Sequence, residues 1–550
     1  MSQTEERFEF EITNDEHRTL FFAWILDIPD TQFDMGIEQL RKDNISFRIL
    51  DDLFRDQMPF TAVVEHMYID RTYRDSYYAY YSAKHFNYSR YCKRVSFFSG
   101  TFEASFIDCD ETDLQQSFMG AIVIRPISGR SVGRTLLAPK YFLKHKPVRI
   151  RQTKYNVTIY GKGLCVKAFP YSMQDGETTS CAEITILNLL DYYSQTYPDY
   201  HFMLPSDIER IVEKNSYERR LPTLGLSYEL LSKIFCEAGF YPRLYAANKM
   251  GRRKFRHIMH KYIESGIPVA LGLRYGPSQR HSVVGIGYAM PDPSTLTACV
   301  TSAYNAVSKK TLWVCDIADG VSEYCIMDDN QPPYQVVKCG FRNGDNGKLC
   351  LGGPEVEYMM VPLYKRMILE ATDAHDICMS LLADDSFGII RYLSSNSKLQ
   401  DICQNYGCKA VMNLGRKENP LTVRVFMASS RTFKRERDRI FRAGNSAAQQ
   451  IYSQIAFPKF VWVCEISTPE LMECGKAFGE IVIDATASAE AKSNSFIILH
   501  YPGAILGRTP ADFPLNSHSK FEYVAEWDIF DKFDGNLDYI ASIQKIACKT

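Results

Sequence analysis

The segment Gln174-Asp-Gly-Glu-Thr-Thr-Ser-Cys181-Ala-Glu-Ile-Thr-Ile-Leu-Asn-Leu-Leu-Asp-Tyr-Tyr193 carries the clearest structural and chemical signals in this 550-residue chain. Ser180 and Glu183 form a Ser-x-x-Glu capping box, which marks the N-terminus of a helix. Apolar residues then recur at helical spacing, so a mostly buried helix should follow. Cys181 would take its first position, where unpaired backbone N–H groups and the helix dipole favour a thiolate. The segment therefore predicts a cysteine nucleophile at a helix N-terminus.

The same segment also fits a buried free cysteine that happens to follow a helix cap. The chain has 16 cysteines, so chance can place one of them at a helix start. Gln174 lies upstream and carries a side-chain amide that could donate to an oxyanion formed at the thiolate. The choice between a nucleophile and a bystander therefore depends on residues further along the chain.

The length of the chain predicts more than one hydrophobic core, and we expect three domains. Residues 1–150 and 366–550 read as an α+β domain and an α/β domain of unknown role, and residues 151–365 contain Cys181. The net charge of -1 gives no electrostatic argument for a nucleic-acid or membrane partner. The sequence does not indicate an oligomeric state.

The first residues show no basic region followed by an apolar stretch, so no secretory signal is expected, and no apolar run reaches the roughly 18 residues that span a membrane. The cysteines are scattered and lack the spacing of a zinc knuckle or a redox motif. We therefore expect a cytoplasmic protein with free thiols, without a metal or a cofactor.

In the first domain, helices are expected over residues 37–58 and 62–81, and strands over 95–98 and 118–124. Gly129 and Gly133 then frame a turn that holds Arg130 and Arg134. Two arginines in such a turn could bind an anion, form a solvated loop or clamp a carboxylate.

In the middle domain, a helix is expected after a cap at Ser227, followed by a strand over 268–273. A second strand begins at His281, and a third ends at Asp328. Thiol acyl transfer needs a nucleophile, an imidazole, a group that orients the imidazole and oxyanion donors. Cys181, His281, Asp328 and Gln174 supply these groups, each at an edge of a helix or strand.

This part of the chain resembles the papain-like cysteine peptidases, and most closely the bacteriocin-processing (C39-like) peptidases. The resemblance covers about residues 165–336. It is carried by Gln174 to Cys181 with its helix, Gly225-Leu-Ser-Tyr-Glu-Leu-Leu, Gly266-Ile-Pro-Val-Ala-Leu, Arg280-His-Ser-Val-Val-Gly-Ile-Gly-Tyr and Met327-Asp-Asp. The resemblance implies an α+β fold with a central papain-like domain.

The resemblance also implies the roles of four residues. Gln174 would be an oxyanion donor, Cys181 the nucleophile, His281 the general acid and base, and Asp328 the orienting acid. A proline commonly follows that acid in the family, whereas Asp329 follows it here, so either aspartate could orient the imidazole. The family also often has a small residue such as glycine after the cysteine, where this chain has Ala182 followed by an acid.

The function expected from these residues is hydrolysis of a peptide or isopeptide bond through a Cys181 thioester, with a protein or peptide as substrate. The two flanking domains would regulate the peptidase. A transglutaminase-like acyl transferase and a catalytically silent papain-like binding scaffold are the alternatives.

In the last domain, helices are expected over 369–382 and 430–454, and strands over 460–464, 480–483 and 496–499. The charges between Arg431 and Arg442 have mixed signs at helical spacing, which is typical of a solvated helix face rather than a nucleic-acid contact. His257 and His260, on a helix of the middle domain, are expected to be exposed.

Overall fold

The computed structural model describes the chain as a mixed α+β protein, in agreement with the expected class. The described residues are 8–33, 36–143, 146–217, 221–223, 225–291, 300–304, 311–341, 348–385, 388–393, 414–442, 446–488, 495–508, 522–523 and 529–541. Among these residues, no helix is both long and apolar enough to cross a membrane.

The first sheet is antiparallel and follows the order of the chain. Its five strands are Glu9–Ile12, Phe60–Tyr68, Cys92–Ser99, Phe118–Ile124 and Val132–Leu137. The strands expected over 95–98 and 118–124 are confirmed. The helices that accompany this sheet are Asp15–Ile25, Asp30–Phe33, Ile37–Asp43, Ile45–Phe54, Arg71–Ala79, Glu111–Ser117 and Pro139–Phe142.

The helix expected over residues 62–81 is wrong, because its first half is a strand. Phe60–Tyr68 pairs with a neighbour on each side, and its β-branched pair Val63 and Val64 favours extended backbone. The helix begins only at Arg71, where the Asp70 carboxylate accepts a hydrogen bond from the Tyr73 N–H at 2.8 Å. A side-chain cap thus decides where the strand conformation ends and the helix starts.

The helix expected over residues 37–58 is two helices. Asn44 separates them and caps the second by accepting a hydrogen bond from the Phe47 N–H at 2.9 Å. Asparagine favours such caps over helix interiors because its side chain competes for backbone N–H groups.

The second sheet contains a closed ring of strands at its centre. Going round the ring, its strands are Val269–Arg274, Glu355–Val361, Leu349–Leu351, Gln335–Phe341, Glu323–Met327 and Arg280–Ala289. The ring closes because Val269–Arg274 also pairs with Arg280–Ala289. Arg243–Ala246, Val148–Ile150 and Asp538–Ile540 extend the sheet at its edges.

The helices of the middle part are Cys181–Thr196, Pro205–Glu213, Tyr228–Glu237, Arg252–Glu264 and Ile317–Gly320, with a short 3-10 turn at Ala247–Lys249; a second 3-10 turn, Tyr81–Ala83, lies in the first part of the chain. The helix expected after Cys181 is confirmed, and it packs against the strand Arg280–Ala289. The cap at Ser227 is confirmed as well, since its hydroxyl accepts a hydrogen bond from the Leu230 N–H at 3.3 Å.

The third sheet consists of Val300–Tyr304, Thr311–Asp316, Leu421–Ser429, Phe460–Ser467, Gly479–Asp484, Phe496–Tyr501, Ala504–Gly507 and Glu522–Tyr523. The strands expected in the last part of the chain are confirmed. Two short ribbons pair Thr153–Ile159 with Lys162–Ala168 and Lys476–Ala477 with Phe530–Asp531. The last helices are Ala371–Leu382, Ile390–Leu393, Ser430–Arg442, Ser446–Gln454 and Pro469–Glu473.

Two sheets contain strands from more than one expected domain. The domain limits themselves stay predictions. Thr311–Asp316 belongs to the middle segment but pairs with Leu421–Ser429 of the third sheet. Asp538–Ile540 returns from the other end of the chain to pair with Val148–Ile150 of the second sheet. One apolar core lies between the first and second sheets and another between the second and third.

The expectation that His257 and His260 are exposed is wrong. Their helix, Arg252–Glu264, packs against strands of both the second and the third sheet, so two of its faces are covered. His260 is buried, and burial lowers its pKa to about 4. His257 directs Nε2 to the Asp319 carboxylate at 2.8 Å.

Five buried charges join the third sheet to the middle part of the chain. Arg424 donates to Glu264 at 2.7 Å and to Glu465 at 2.6 Å. Arg437 donates to Glu465 at 2.9 Å and to Glu480 at 2.6 Å. The expectation that the charges of the helix Ser430–Arg442 are solvated is therefore wrong for Arg437. This residue lies on one buried face of the helix together with Phe433 and Phe441, four residues before and after it.

Replacing Arg437 by methionine should destabilise the third sheet by about 3–5 kcal/mol, because two buried carboxylates would lose their shared cation. The matched control is Arg442→Met on the same helix, where the arginine is largely exposed and pairs with Asp438. Urea unfolding followed by tryptophan fluorescence measures both variants. Equal midpoints for the two would show that the buried network does not stabilise the fold.

Candidate active site

The loop before Cys181 is shaped by one aspartate. Asp175 Oδ1 accepts hydrogen bonds from the backbone N–H groups of Glu177, Thr178 and Thr179, at 2.9, 2.7 and 2.8 Å. This Asx-type turn delivers the chain to the helix start, where Glu183 Oε2 accepts from the Ser180 N–H at 2.6 Å. The loop thus ends with Cys181 as the first residue of its helix, as expected.

His281 and Asp328 meet because their strands are neighbours. His281 is the second residue of Arg280–Ala289, and Asp328 directly follows Glu323–Met327, which pairs with that strand. The imidazole Nε2 lies 2.8 Å from Asp328 Oδ1. Both side chains are buried, so this hydrogen bond holds the ring in one orientation.

The thiol of Cys181 also acts on the imidazole and helps to raise the pKa of His281. Burial by itself would lower the pKa of His281, but the hydrogen bond to Asp328, the thiol of Cys181 and the two nearby carboxylates raise it to about 10. The ring is therefore an imidazolium at neutral pH and has a proton to donate.

Asp329 forms a second, looser contact with the same imidazole. Its Oδ1 lies 3.3 Å from Nε2, and its Oδ2 accepts a hydrogen bond from the Gln174 N–H at 3.3 Å. Burial raises the pKa of Asp329 to about 6; the His281 charge opposes this shift and Asp328 adds to it. Of the two candidate orienting acids, Asp328 makes the shorter contact.

Gln174 lies on the acid side of the site in this structure. Its Nε2 donates to Asn330 Oδ1 at 3.4 Å, so its side chain is linked to the residues that surround His281. Its role as an oxyanion donor at Cys181 stays a prediction.

Asn330 is a site residue that the sequence analysis missed. Its N–H donates to Asp328 Oδ1 at 2.9 Å, and its Nδ2 lies 3.5 Å from Nε2 of His281. The signal that could have found it is an aspartate at a strand end, whose carboxylate commonly accepts from the N–H two residues later.

A cleft of about 1020 Å³ opens beside Cys181 and His281. Its lining is largely uncharged and includes Ala270, Leu271, Ser278, Met360, Tyr217, Tyr228 and Tyr358. The rings of Tyr228 and Tyr358 lie 3.8 Å apart, and a Cβ at Gly272 would come within 2.7 Å of the Tyr228 hydroxyl. Glycine at this position therefore leaves room for the ring, and the cleft is large enough for several residues of a peptide.

The side chains of His281, Asp328 and Asp329 are also of the types that bind divalent cations. Their ligand atoms lie within 4.8 Å of one another. In this arrangement, however, His281 Nε2 and Asp328 Oδ1 already hydrogen-bond to each other, so the geometry is accounted for without an ion. The expectation that no metal or cofactor takes part stays a prediction.

A scan against protein-family models and a search of curated proteins both found no significant match to this chain.

We expect iodoacetamide to label Cys181 rapidly at about pH 6, because the neighbouring imidazolium stabilises the thiolate. In His281→Ala, labelling should rise only where a free thiol ionises, near about pH 8.5. Site-resolved mass spectrometry measures the rates, and the exposed Cys236 and Cys474 serve as internal standards. A wild-type Cys181 that reacts no faster than Cys236 would contradict the ion pair.

Dialysis against EDTA should leave the rate of Cys181 labelling unchanged, because His281 already has its hydrogen-bond partners within the protein. The same mass-spectrometric assay measures it before and after dialysis. A rate that changes with EDTA and returns when Zn²⁺ is added back would instead indicate a metal at His281, Asp328 and Asp329.

Proposed function

We propose that this protein is a cysteine peptidase with a papain-like, C39-like central domain, in which Cys181, His281 and Asp328 form the catalytic triad. The observation that carries the proposal is the buried imidazole of His281, which is hydrogen-bonded to Asp328 and lines the same cleft as the helix-terminal Cys181. The adjoining cleft supports it, because a substrate in the cleft would lie against the sulfur.

The reaction follows from the protonation states of this group. The Cys181 thiolate attacks the carbonyl carbon of the scissile bond, and the imidazolium of His281 gives its proton to the leaving amine, which leaves a thioester. A water molecule then attacks the thioester while His281 accepts its proton, and the carboxylic acid product departs from the regenerated thiolate. Asp328 keeps the ring oriented through both steps by accepting the Nε2–H hydrogen bond.

Stabilisation of the tetrahedral intermediate requires donors near Cys181. The backbone N–H of Cys181 is at the first position of its helix, where no partner exists within the helix, and is one candidate donor. The amide of Gln174 is the second, by resemblance to the peptidase family. Regulation by the flanking parts of the chain belongs to the same proposal.

The test is cleavage of a peptide library prepared from a digested proteome, with new termini identified by mass spectrometry. We expect the wild-type protein and Cys236→Ala to produce the same new termini, and Cys181→Ala to produce none. If an added primary amine increases turnover and appears in the products, the acyl-transferase alternative gains. If Cys181 shows the labelling described above but no peptide is cleaved, the binding scaffold becomes the better account.

A further inference from the structure

The turn between the fourth and fifth strands of the first sheet, together with the start of the fifth strand, contacts three separate parts of the candidate site. Three arginines make these contacts, and we call Arg125, Arg130 and Arg134 the arginine clasp. Arg134 donates to both oxygens of Asp191, at 2.7 and 3.0 Å. The expectation that Arg134 lies in the turn is wrong, because it is in the strand Val132–Leu137. Of its expected roles, Arg134 clamps a carboxylate.

Each contact of the clasp is made with a different element of the site. Asp191 lies in the nucleophile helix Cys181–Thr196. Arg125 donates to the Met173 carbonyl at 2.9 Å, next to Gln174. Arg130 donates to Asn330 Oδ1 at 3.2 Å, in the turn that follows Asp328. One turn from the N-terminal part of the chain therefore holds both the segment that carries the nucleophile and the segment that carries the acid.

Backbone pairing fixes the turn against the same loop. Thr135 and Tyr171 exchange two N–H···O hydrogen bonds, at 2.7 and 3.1 Å, and the Met173 N–H donates to the Val132 carbonyl at 3.2 Å. The Tyr171 hydroxyl in turn donates to the Gln331 carbonyl at 2.9 Å. The clasp is thus part of a continuous set of contacts rather than a loose surface loop.

Asn330 is the point through which the clasp reaches His281. Its Oδ1 accepts from Arg130 and from Gln174, and its carbonyl accepts from Arg48 at 2.8 Å. Held in this way, its N–H donates to the same Asp328 oxygen that accepts the hydrogen bond from His281. A shift of Asn330 would therefore move the carboxylate that orients the imidazole.

We propose that Arg130 is a positioning residue of this site, which acts through Asn330 to hold Asp328 against His281. The inference rests on the proposed peptidase function and deepens it, because it makes the N-terminal part of the chain a structural component of the active site. Arg48 supports the same asparagine from a helix of the first sheet's layer.

A positioning role and a purely electrostatic role predict opposite shifts. The positive charge of Arg130 lies close enough to act on Asp329, so its removal alone would favour the imidazolium and raise the pKa of His281. Loss of the Asp328–His281 hydrogen bond would instead lower that pKa, from about 10 toward the ordinary value of 6.5. The direction of the shift therefore separates the two roles.

The test compares Arg130→Ala, Arg130→Lys and Asn330→Ala in the full-length protein, with Arg94→Ala as the matched control. Arg94 is also in the first sheet and pairs with Glu65 at 2.6 Å, away from the residues that surround His281. Two quantities are measured by mass spectrometry: the rate of Cys181 alkylation by iodoacetamide at about pH 6, and the pKa of His281 from hydrogen–deuterium exchange at its ring C2 position. Thermal melting reports whether each variant is folded.

We expect Arg130→Ala to slow alkylation by up to about a hundredfold and to lower the His281 pKa, with partial recovery in Arg130→Lys and no effect in Arg94→Ala. Asn330→Ala should behave like Arg130→Ala and replaces it if the latter does not fold. An unchanged or raised His281 pKa in the folded variants would overturn the inference. If the wild-type Cys181 is no more reactive than Cys236, the peptidase proposal fails, while the His281 exchange still decides whether Arg130 positions the ring.

Discussion

The hydrogen bond between His281 Nε2 and Asp328 Oδ1 is the contact on which the site depends. It lies in a buried setting, where an unpaired charge on either partner would be costly. The two groups can be buried because each neutralises the other and because Asn330 supplies a further donor. The same pairing helps to raise the pKa of His281 and so keeps the imidazole charged.

Charge pairing in the interior recurs elsewhere in the molecule and ties its parts together. Arg424 and Arg437 share Glu465 at the base of the third sheet, and Arg424 reaches Glu264 on a helix of the middle part. Arg134 does the same between the first sheet and the nucleophile helix. Guanidinium groups suit these places because their fixed fork of donors matches a carboxylate in two positions at once.

The N-terminal and C-terminal parts of the chain both support the middle part, which carries His281 and Asp328. The ring of strands in the second sheet places His281 beside Asp328, but the asparagine that follows the acid is held by Arg48 and Arg130 from the N-terminal part. The C-terminal strand Asp538–Ile540 completes an edge of the second sheet, so the last part of the chain also supports the middle one. The arrangement of His281 and Asp328 should therefore be sensitive to changes well outside the cleft.

Short-range patterns in the sequence were enough to predict where Cys181, His281 and Asp328 lie in helices and strands. The capping box put Cys181 at a helix start, and the apolar runs placed His281 and Asp328 at strand ends, because caps and strand limits depend on residues within a few positions. The segment 62–81 and the charged helix near Arg437 were misread, since apolar β-branched residues and helical charge spacing do not reveal which neighbours cover them. Only the tertiary structure decided that Asn330 joins the site and that Arg130 is linked to Asp328 through it. The same holds for the burial of His260 and Arg437. These contacts link residues tens to hundreds of positions apart, and such pairs meet only through the packing of the sheets.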